Sequence, residues 1–352
     1  MHTSNKDAVS YFTGQLGVNW YIDFSGDYST VPAGVNKPPH ISLSSSSSET
    51  CASRIAAMTQ RPPSGSYWYV GGEPNTSPTS ISGAAFAPIF KQCYDTIKAY
   101  DSTAKIMSPS ILNWWWECTG CGGYTIGRQW MDDFRNAYKA ANSDAEPPVD
   151  VWNIDIYPID WYRTPNTDSD LAIGQIQGGR LPCKDRYPYV EGQRKYSDTS
   201  PYVDNQDCLN HQPLKQGMRA YLDAIPAYQN TPIWVTEIAL HWGYQGWQFR
   251  TPFDANNPIA PTGTYCEKQV ASYLQNVVNW FKSNGPTNKV ERWFPFVTYA
   301  ELVNPNIPGY AGISLFNSSG IGASLSKMGQ IYKDLAHGST ISIDMNSLPS
   351  CP

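Results

Sequence analysis

The chain has 352 residues, of which 41% are hydrophobic and 13% aromatic, a proportion too high for a disordered protein. Its formal net charge is -5 and it contains no basic run, so we expect neither a nucleic-acid-binding protein nor one attracted to anionic membranes. No apolar stretch reaches the length of about 18 residues that a membrane-spanning helix needs. The polar first residues lack the apolar segment of a signal peptide, so any export signal is expected to have been removed or never to have existed.

Short apolar strands alternate with amphipathic helices along the chain. In chain order we predict strands at residues 16–23, 40–43, 67–73, 105–109, 149–157, 232–240, 291–299 and 312–316. We predict helices at residues 49–60, 84–100, 128–141, 215–228, 267–284 and 325–336. Strands separated by helices form parallel sheets. Seven or eight such repeats over this length favour an α/β fold of the closed (β/α)8 type, the TIM barrel, over an open sheet.

Two long loops follow predicted strands and precede predicted helices. Residues 110–127 contain three consecutive Trp, and residues 158–214 are rich in Pro, Tyr, Asp and Gly. In a barrel such loops rise from the face that carries the catalytic residues. We therefore predict a single (β/α)8 domain over residues 1–352, with a loop insertion at about 158–214 on its catalytic face.

Eight cysteines, an even number, occur in a chain of which only 16% is charged. Both features favour disulfide bonds and an oxidising compartment, so we expect a secreted, extracellular protein. Eight cysteines allow 105 pairings, which leaves their connectivity open. Reduced thiols are an alternative. A structural zinc site at Cys118, Cys121, Cys183 and Cys208 is another, although the second pair lacks the CxxC spacing.

Two carboxylates interrupt otherwise apolar strands at their carboxyl ends. Glu73 ends Trp-Tyr-Val-Gly-Gly-Glu, and Glu237 ends Ile-Trp-Val-Thr-Glu. A charge in such a strand costs free energy unless it is paired or used. The strand ends of a barrel surround one mouth, so these side chains, three strands apart, can reach one pocket. Carboxylates about 5 Å apart cleave glycosides with retention and about 6.5–9.5 Å apart with inversion, whereas the alternative is two unrelated strand-end glutamates.

The segments around these glutamates resemble the acid/base and nucleophile strands of the clan A retaining glycoside hydrolases. They span residues 68–75 and 232–239. Within this clan the chain is most similar to the glycosyl hydrolase catalytic-core group, which includes endo-β-1,3-glucanases of family 128. Further segments of that group are matched in the same order by residues 17–20, 105–110, 130–134 and 150–157.

The resemblance implies a function and a role for each residue. Glu73 would be the general acid/base, Glu237 the nucleophile, and Tyr157 the donor of a hydrogen bond that keeps the nucleophile oriented and ionised. The protein would be a retaining β-glycoside hydrolase without metal or other cofactor, acting on a polysaccharide or oligosaccharide. The first substrate expected is β-1,3-glucan, and β-mannan, xylan and β-1,4-glucan are alternatives. We expect a monomer.

The chain departs from the family pattern at two positions. The residue before the acid is usually an Asn that binds a sugar 2-hydroxyl, and here it is Gly72. The residue two positions before the tyrosine is often His, and here it is Asp155. Unless the substrate is unusual or the activity weak, Asn19, Asn75 or Asn153 should replace the missing hydrogen bond. Asp155 is expected either to bind a sugar hydroxyl or to cap the strand end.

Sugars stack their C–H faces on aromatic rings, so aromatic side chains on the predicted catalytic face are candidate sugar contacts. Trp242 and Trp247 are the strongest, because they follow the nucleophile strand directly. His241, the only histidine near the predicted chemistry, could bind a hydroxyl or have a structural role. Further candidates for sugar contact are Trp20, Trp114 and Tyr299.

Two other functions are compatible with these residues. A non-catalytic carbohydrate-binding barrel could have kept the aromatic side chains and lost efficient chemistry. Gly72 is the main argument for it, and the presence of both glutamates is the argument against it. A transglycosylase would use the same glutamates with a sugar acceptor in place of water.

Overall fold

A six-stranded parallel sheet forms the centre of the computed structural model, which describes residues 5–43, 50–76, 81–114, 126–157, 165–179, 216–240, 267–299 and 313–348. The strands lie side by side in chain order, so each pair is joined by a crossover connection. They are β1 (His40–Ser42), β2 (Tyr67–Gly71), β3 (Lys105–Leu112), β4 (Val151–Ile156), β5 (Ile233–Ile238) and β6 (Val290–Pro295).

Helices cover the outside of this sheet. Phe86, Phe90 and Phe134 belong to the apolar layer between helices and strands, and all three are fully buried. Within the described ranges, no helix combines the length and the apolar character needed to cross a membrane. The helices are α1 (Lys6–Leu16), α2 (Cys51–Ala56), α3 (Gly83–Tyr100), α4 (Gly127–Ala141), α5 (Pro165–Gln177), α6 (Met218–Asp223), α7 (Glu267–Asn284) and α8 (Lys327–His337).

The sheet is curled into a barrel. The rings of Tyr67 on β2 and Trp234 on β5 have centroids 4.8 Å apart, although β3 and β4 lie between these strands. In a flat sheet, three strand spacings would hold the two rings about 14 Å apart. Trp20, which precedes β1 in the chain, contacts both rings as well. Side chains of distant strands therefore meet inside the sheet, as they do in a TIM barrel.

Single contacts extend the sheet beyond both of its edges. Trp20 forms a parallel bridge with Asn36, ahead of β1. After β6, the amide of Phe316 donates to the carbonyl of Thr298 at 3.0 Å. These residues belong to segments predicted as, or adjacent to, the first and last strands. The predicted α/β barrel architecture is confirmed.

Of the strand predicted at residues 16–23, the structure has only a single bridge at Trp20, and the first part is wrong. α1 continues to Leu16 and ends at Gly17, whose positive φ of 68° terminates the helix. The helix starts where the Asn5 side chain accepts hydrogen bonds from the amides of Asp7 and Ala8. Local capping at both ends therefore decides this segment, which the apolar pattern alone did not predict as a helix.

Two further segments differ from their predictions. The helix predicted at residues 215–228 is interrupted, because α6 ends at Asp223 and Pro226 begins a 3₁₀ turn. Proline has no amide hydrogen with which to continue a helix. The predicted insertion at 158–214 contains α5, a helix that the sequence pattern did not indicate. Residues 158–164 and 180–214 lie outside the described residues, so the insertion stays a prediction.

One disulfide bond joins Cys51 on α2 to Cys93 on α3. It links two consecutive crossover helices over a sequence separation of 42 residues. The expectation of paired cysteines is thus met for this pair. The other six cysteines lie outside the described residues, so their pairing and the zinc alternative remain untested.

Candidate active site

Three carboxyl groups meet at the carboxyl ends of the strands. Glu73 follows β2, whereas Asp155 and Glu237 lie near the ends of β4 and β5. One carboxylate oxygen of each residue lies within 4.8 Å of the corresponding oxygens of the other two. Asp155 is only 1% exposed, and both glutamates are half-buried. The two glutamates predicted from the sequence are therefore together, and a third acid is with them.

Two glycines carry the chain from β2 to the acid. Gly71 and Gly72 have φ values of 117° and 148°, which residues with a side chain rarely adopt. A Cβ on Gly71 would lie 2.7 Å from the Cβ of Pro109 on β3. The close packing of β2 on β3 therefore requires glycine, and the turn that follows brings Glu73 to the mouth of the barrel.

Asn75 ties the loop that carries Glu73 to the end of β3. Its side chain donates to the carbonyl of Leu112 and accepts from the amide of Leu112, both at 3.0 Å. Asn75 is 2% exposed. A buried amide bonded in this way satisfies a strand end and fixes the loop. We therefore assign Asn75 to the support of Glu73, which corrects the expectation that it contacts sugar.

Tyr157 donates its hydroxyl to Oε2 of Glu237, which is the contact that the family resemblance implied. The tyrosine is 6% exposed, and its ring packs edge-on against Phe296. Its amide donates to Oδ1 of Asn113 at 3.0 Å, and the side chain of Gln175 donates to the same oxygen at 3.1 Å. Packing and backbone contacts thus hold the phenol where it stabilises the ionised form of Glu237.

A β-bulge in β5 places Thr236 beside the acids. Ile154 pairs with Val235 and Asp155 pairs with Glu237, so β5 has one residue more than β4 over this step. The hydroxyl of Thr236 donates to Oδ1 of Asp155 at 2.5 Å. The extra residue therefore allows two consecutive positions of β5 to serve the same carboxyl cluster.

A chain of buried hydroxyl groups continues from Thr236 across the barrel. Ser110 on β3 hydrogen-bonds to Thr236, and Tyr69 on β2 donates to the Ser110 hydroxyl at 2.8 Å. Each hydroxyl has one proton, so the donors run from Tyr69 through Ser110 and Thr236 to Asp155. Sequence reasoning missed these three hydroxyls. Their only signal is that each interrupts a buried strand with a polar group.

His40 on β1 also borders the site, although the sequence pointed only to His241. Its Nε2 lies 3.0 Å from the carbonyl oxygen of Gly71, and its ring packs at a tilt against that of Tyr69 with centroids 4.4 Å apart. A Cβ on Gly72 would lie 3.6 Å from this nitrogen. Burial lowers the pKa of His40 to about 4, so the ring is neutral at neutral pH. His40 thus lies beside the position where the family usually has Asn.

Burial raises the pKa of each of the three carboxyl groups above the ordinary value for that group. The charge of Glu73 raises the pKa of Glu237 further, and the charges of both glutamates raise that of Asp155. The hydrogen bond from Tyr157 acts on the pKa of Glu237 in the opposite direction. Three carboxyl groups this close cannot all ionise, so the cluster keeps at least one proton at neutral pH.

Two predicted sugar contacts are instead parts of the barrel. Trp114 is fully buried, and its indole nitrogen donates to the carbonyl of Gln216 at 3.0 Å. Asn153 is fully buried, and its side chain donates to the carbonyl of Ser108 at 2.6 Å. Neither side chain is open to a sugar in this structure. We therefore correct both assignments, because these groups satisfy buried backbone atoms.

Trp20 lies in the interior of the barrel. Its ring meets Trp234, which precedes Glu237 by three residues on β5, and the guanidinium of Arg292 lies 4.3 Å from its ring centre. Trp20 also lines a cavity that reaches Glu237 and Phe296. Its packing against Tyr67, Trp234 and Arg292 makes Trp20 part of the inner wall of the barrel.

The remaining predicted sugar contacts stay predictions. Asn19 is exposed on the segment before Trp20, and its carbonyl accepts from the Asn36 amide at 2.8 Å. Tyr299 is half-buried on the segment that follows β6. The side chains that lie outside the described residues are His241, Trp242 and Trp247.

Among the described residues, the three carboxylates are spaced closely enough that they could hold a cation. However, Tyr157 and Thr236 already donate to two of these carboxylates. The raised pKa values of all three acids favour bound protons as well. The donor arrangement therefore suits proton transfer and nucleophilic attack by carboxylates.

Comparison with known proteins concerns the family and the fold. Residues 209–332 match the family model described as the glycosyl hydrolase catalytic core. The resemblance to the catalytic-core group is confirmed. No curated protein sequence matches the chain significantly.

Solved structures of family 128 glycoside hydrolases have a fold similar to this catalytic-core-like chain. A subgroup II endo-beta-1,3-glucanase from Sorangium cellulosum is 15% identical, with 94% of each chain covered and a TM-score of 0.54. A subgroup II endo-beta-1,3-glucanase from Pseudomonas viridiflava is 17% identical, with 93% of this chain and 92% of that chain covered and a TM-score of 0.51. A subgroup V exo-beta-1,3-glucanase from Cryptococcus neoformans is 13% identical, with 94% and 93% covered and a TM-score of 0.50. At these identities the likeness concerns the fold.

Proposed function

We propose that this protein is a retaining glycoside hydrolase that cleaves β-glycosidic bonds of a polysaccharide, with endo-β-1,3-glucanase as the first assignment. The observation that carries the proposal is the approach of the Glu73 and Glu237 carboxylates to within 4.8 Å at the strand ends. Retaining enzymes have carboxyl groups about 5–5.5 Å apart, whereas inverting enzymes need about 6.5–9.5 Å to admit a water molecule.

In the first step, Glu73 gives its proton to the glycosidic oxygen while Glu237 attacks the anomeric carbon. The bond to the leaving sugar breaks, and a glycosyl ester forms on Glu237. Burial favours the protonated form of Glu73 that this step requires. The hydrogen bond from Tyr157 favours the ionised form of Glu237.

In the second step, water attacks the same carbon and gives a proton to Glu73, while the ester bond to Glu237 breaks. The ester on Glu237 carries no charge, so the repulsion that favours a protonated Glu73 is weaker in the intermediate. The pKa of Glu73 then falls, and the residue acts as a base. Two inversions at one carbon give a product with the configuration of the substrate.

The substrate assignment rests on the family resemblance and on the names of the structures with a similar fold. Two of these structures are named as endo-beta-1,3-glucanases and one as an exo-beta-1,3-glucanase. β-Mannan, xylan and β-1,4-glucan are the other candidates. The Cys51–Cys93 disulfide supports the proposal of a secreted protein, because such bonds persist in oxidising compartments.

The test is the release of reducing ends from laminarin, mannan, xylan, lichenan and arabinogalactan. We expect activity on laminarin, with a first product in the β configuration when the reaction is followed by proton NMR. Glu237→Gln should reduce the rate on the order of 10⁴-fold. Asp95→Asn, which removes a charge from an exposed position on α3, should leave the rate unchanged. A first product in the α configuration would contradict retention.

The role of Glu73 has a separate test. Glu73→Gln should cost least on aryl glycosides with a good leaving group, because such substrates need little acid assistance. Equal losses on aryl and natural substrates would argue against Glu73 as the acid.

Carbohydrate binding without hydrolysis is the second candidate, and Gly72 is the observation that favours it. Without a side chain at this position, the chain lacks the sugar contact that the family usually has before the acid. Binding of the protein to insoluble glucan without release of reducing ends would support this candidate. Products longer than the substrate would instead indicate a transglycosylase.

A further inference from the structure

Asp155 is the member of the carboxyl cluster that the two-glutamate mechanism leaves without a role. It is 1% exposed, and one of its oxygens lies within 4.8 Å of an oxygen of each glutamate. Their side-chain contact raises the pKa of Asp155 and lowers that of Glu73, as a hydrogen bond between two carboxyl groups does. A hydrogen bond between two carboxyl groups requires a proton on one of them, because an ionised carboxylate can only accept.

The donors around Asp155 show which of its atoms remain available for Glu73. Oδ1 accepts from the Thr236 hydroxyl at 2.5 Å, and the hydroxyls of Ser110 and Tyr69 line up behind Thr236. This one-way chain supplies Asp155 with a donor, so the side chain is held in a single orientation.

The charged and titratable groups that face Asp155 come from several strands. On β5 the neighbour is Glu237, whose charge disfavours a further anion at Asp155. On β2 it is the buried phenol of Tyr69, whose ring packs against the buried His40 of β1. Among the described residues, no positive charge acts on the pKa of Asp155. The repulsion between two anions at this place is therefore not offset by a neighbouring cation.

We propose that Asp155 and Glu73 share one proton and that Asp155 is a positioning residue that keeps this proton available to the glycosidic oxygen. This inference rests on the proposed function, because it names what controls the acid of that same site. It also gives Asp155 a purpose that differs from both sequence expectations, the sugar contact and the strand cap.

The shared proton takes part in both steps of the reaction. In the first step it moves from the Glu73–Asp155 pair to the leaving oxygen, the glycosidic C–O bond breaks, and the ester bond to Glu237 forms. The pair is then doubly ionised. In the second step a proton of the attacking water returns to the pair, the water oxygen bonds to the anomeric carbon, and the ester breaks. Repulsion within the doubly ionised pair makes it a better base than one carboxylate.

Two substitutions should move the pH dependence in opposite directions. Asp155→Asn removes the repulsion but can still donate to Glu73, so the alkaline limb of kcat/KM should move to lower pH by about one unit or more. Thr236→Val removes the donor that stabilises the Asp155 anion, so the same limb should move to higher pH. Thr236→Ser keeps this donor and should restore the wild-type profile. Asp95→Asn matches the charge change of Asp155→Asn at an exposed site and should not move the limb.

A measurement that needs no substrate separates this inference from the proposed function. The side-chain carboxyl carbons of Asp and Glu are labelled with carbon-13, and their NMR shifts are followed against pH in the full chain. We expect Glu73 and Asp155 to respond together to the loss of one proton, at a pH above the ordinary carboxyl range. In Asp155→Asn, Glu73 should lose its proton at a lower pH.

An unchanged titration of Glu73 in Asp155→Asn would overturn the shared proton, whatever the activity. Alkaline limbs of kcat/KM that move in the same direction in Asp155→Asn and Thr236→Val would also overturn it. General damage to the site would not move the two limbs in opposite directions. A joint titration in a wild-type protein that hydrolyses no glycan would uphold the shared proton and refute the proposed function.

Discussion

At the scale of single residues, the charge of Glu237 depends on its neighbours. Burial and the charge of Glu73 raise its pKa, whereas the donor Tyr157 lowers it. A hydrogen bond to a charged group contributes about 1.5–3 kcal/mol, so this one phenol offsets part of the rise in the pKa of Glu237. Tyr157 is held by its own packing on Phe296 and by Asn113, so the donor is in place before any substrate binds.

Tyr157→Phe should therefore lower kcat/KM about 10- to 100-fold. Its acidic limb should also move to higher pH, because Glu237 loses the donor that stabilises its anion. The matched control is Tyr11→Phe, which removes a hydroxyl that donates to Ala323 at 2.9 Å, away from the acids. Identical pH profiles for Tyr157→Phe and the wild type would show that the phenol does not set the charge of Glu237.

At the scale of elements, the contact between β2 and β3 determines where Glu73 lies. Gly71 packs on Pro109 with no space for a side chain. The side chain of Asn75 both donates to and accepts from the backbone of Leu112 at the end of β3. The acid thus sits on a short loop that is fixed to the neighbouring strand at two points. A catalytic carboxyl needs this kind of support, because small displacements of the acid reduce the rate steeply.

Gly71→Ala should lower the free energy of unfolding by more than about 2 kcal/mol, since it adds both backbone strain and a clash with Pro109. Gly34→Ala is the matched control. Gly34 also has a positive φ, 78°, but a Cβ there would meet no atom within 4 Å. It should cost about 1 kcal/mol from strain alone. Equal losses in urea unfolding would mean that the contact with β3 is not tight.

At the scale of the whole molecule, the buried acids make folding dependent on pH. Their pKa values are raised in the folded protein, so the folded state binds more protons than the unfolded state above the ordinary carboxyl pKa of about 4.5. Stability from this source is complete at lower pH and is lost as the pH rises through the raised values. The pKa of His40 is lowered to about 4. Its contribution to the free energy of unfolding therefore rises with pH between about pH 4 and 6.5.

The free energy of unfolding of the wild type should therefore fall more steeply between pH 5 and pH 8 than that of Glu237→Gln. The difference between the two proteins should be on the order of 1–3 kcal/mol over this range, and the contribution of His40 cancels in it. Urea unfolding at several pH values measures it. Parallel curves for the two proteins would show that Glu237 has an ordinary pKa in the folded state.

The sequence by itself determined the order of the six central strands and the two glutamates at strand ends. Strand and helix periods are local features, and a glutamate that ends an apolar strand can be seen without knowing its neighbours. The family resemblance added the contact between Tyr157 and Glu237, which the structure contains. The helix that ends at Gly17 and the helix break before Pro226 were missed because capping and proline effects act against the apolar pattern.

Only the tertiary structure decided which polar groups surround the glutamates. Thr236 reaches Asp155 through a bulge, which shifts the register by one residue and has no period in the sequence. Tyr69 and Ser110 join the same hydroxyl chain from separate strands. Such contacts arise where a curled sheet brings distant strands together. The local pattern of each strand is the same whether its polar residue meets a partner, a sugar or solvent.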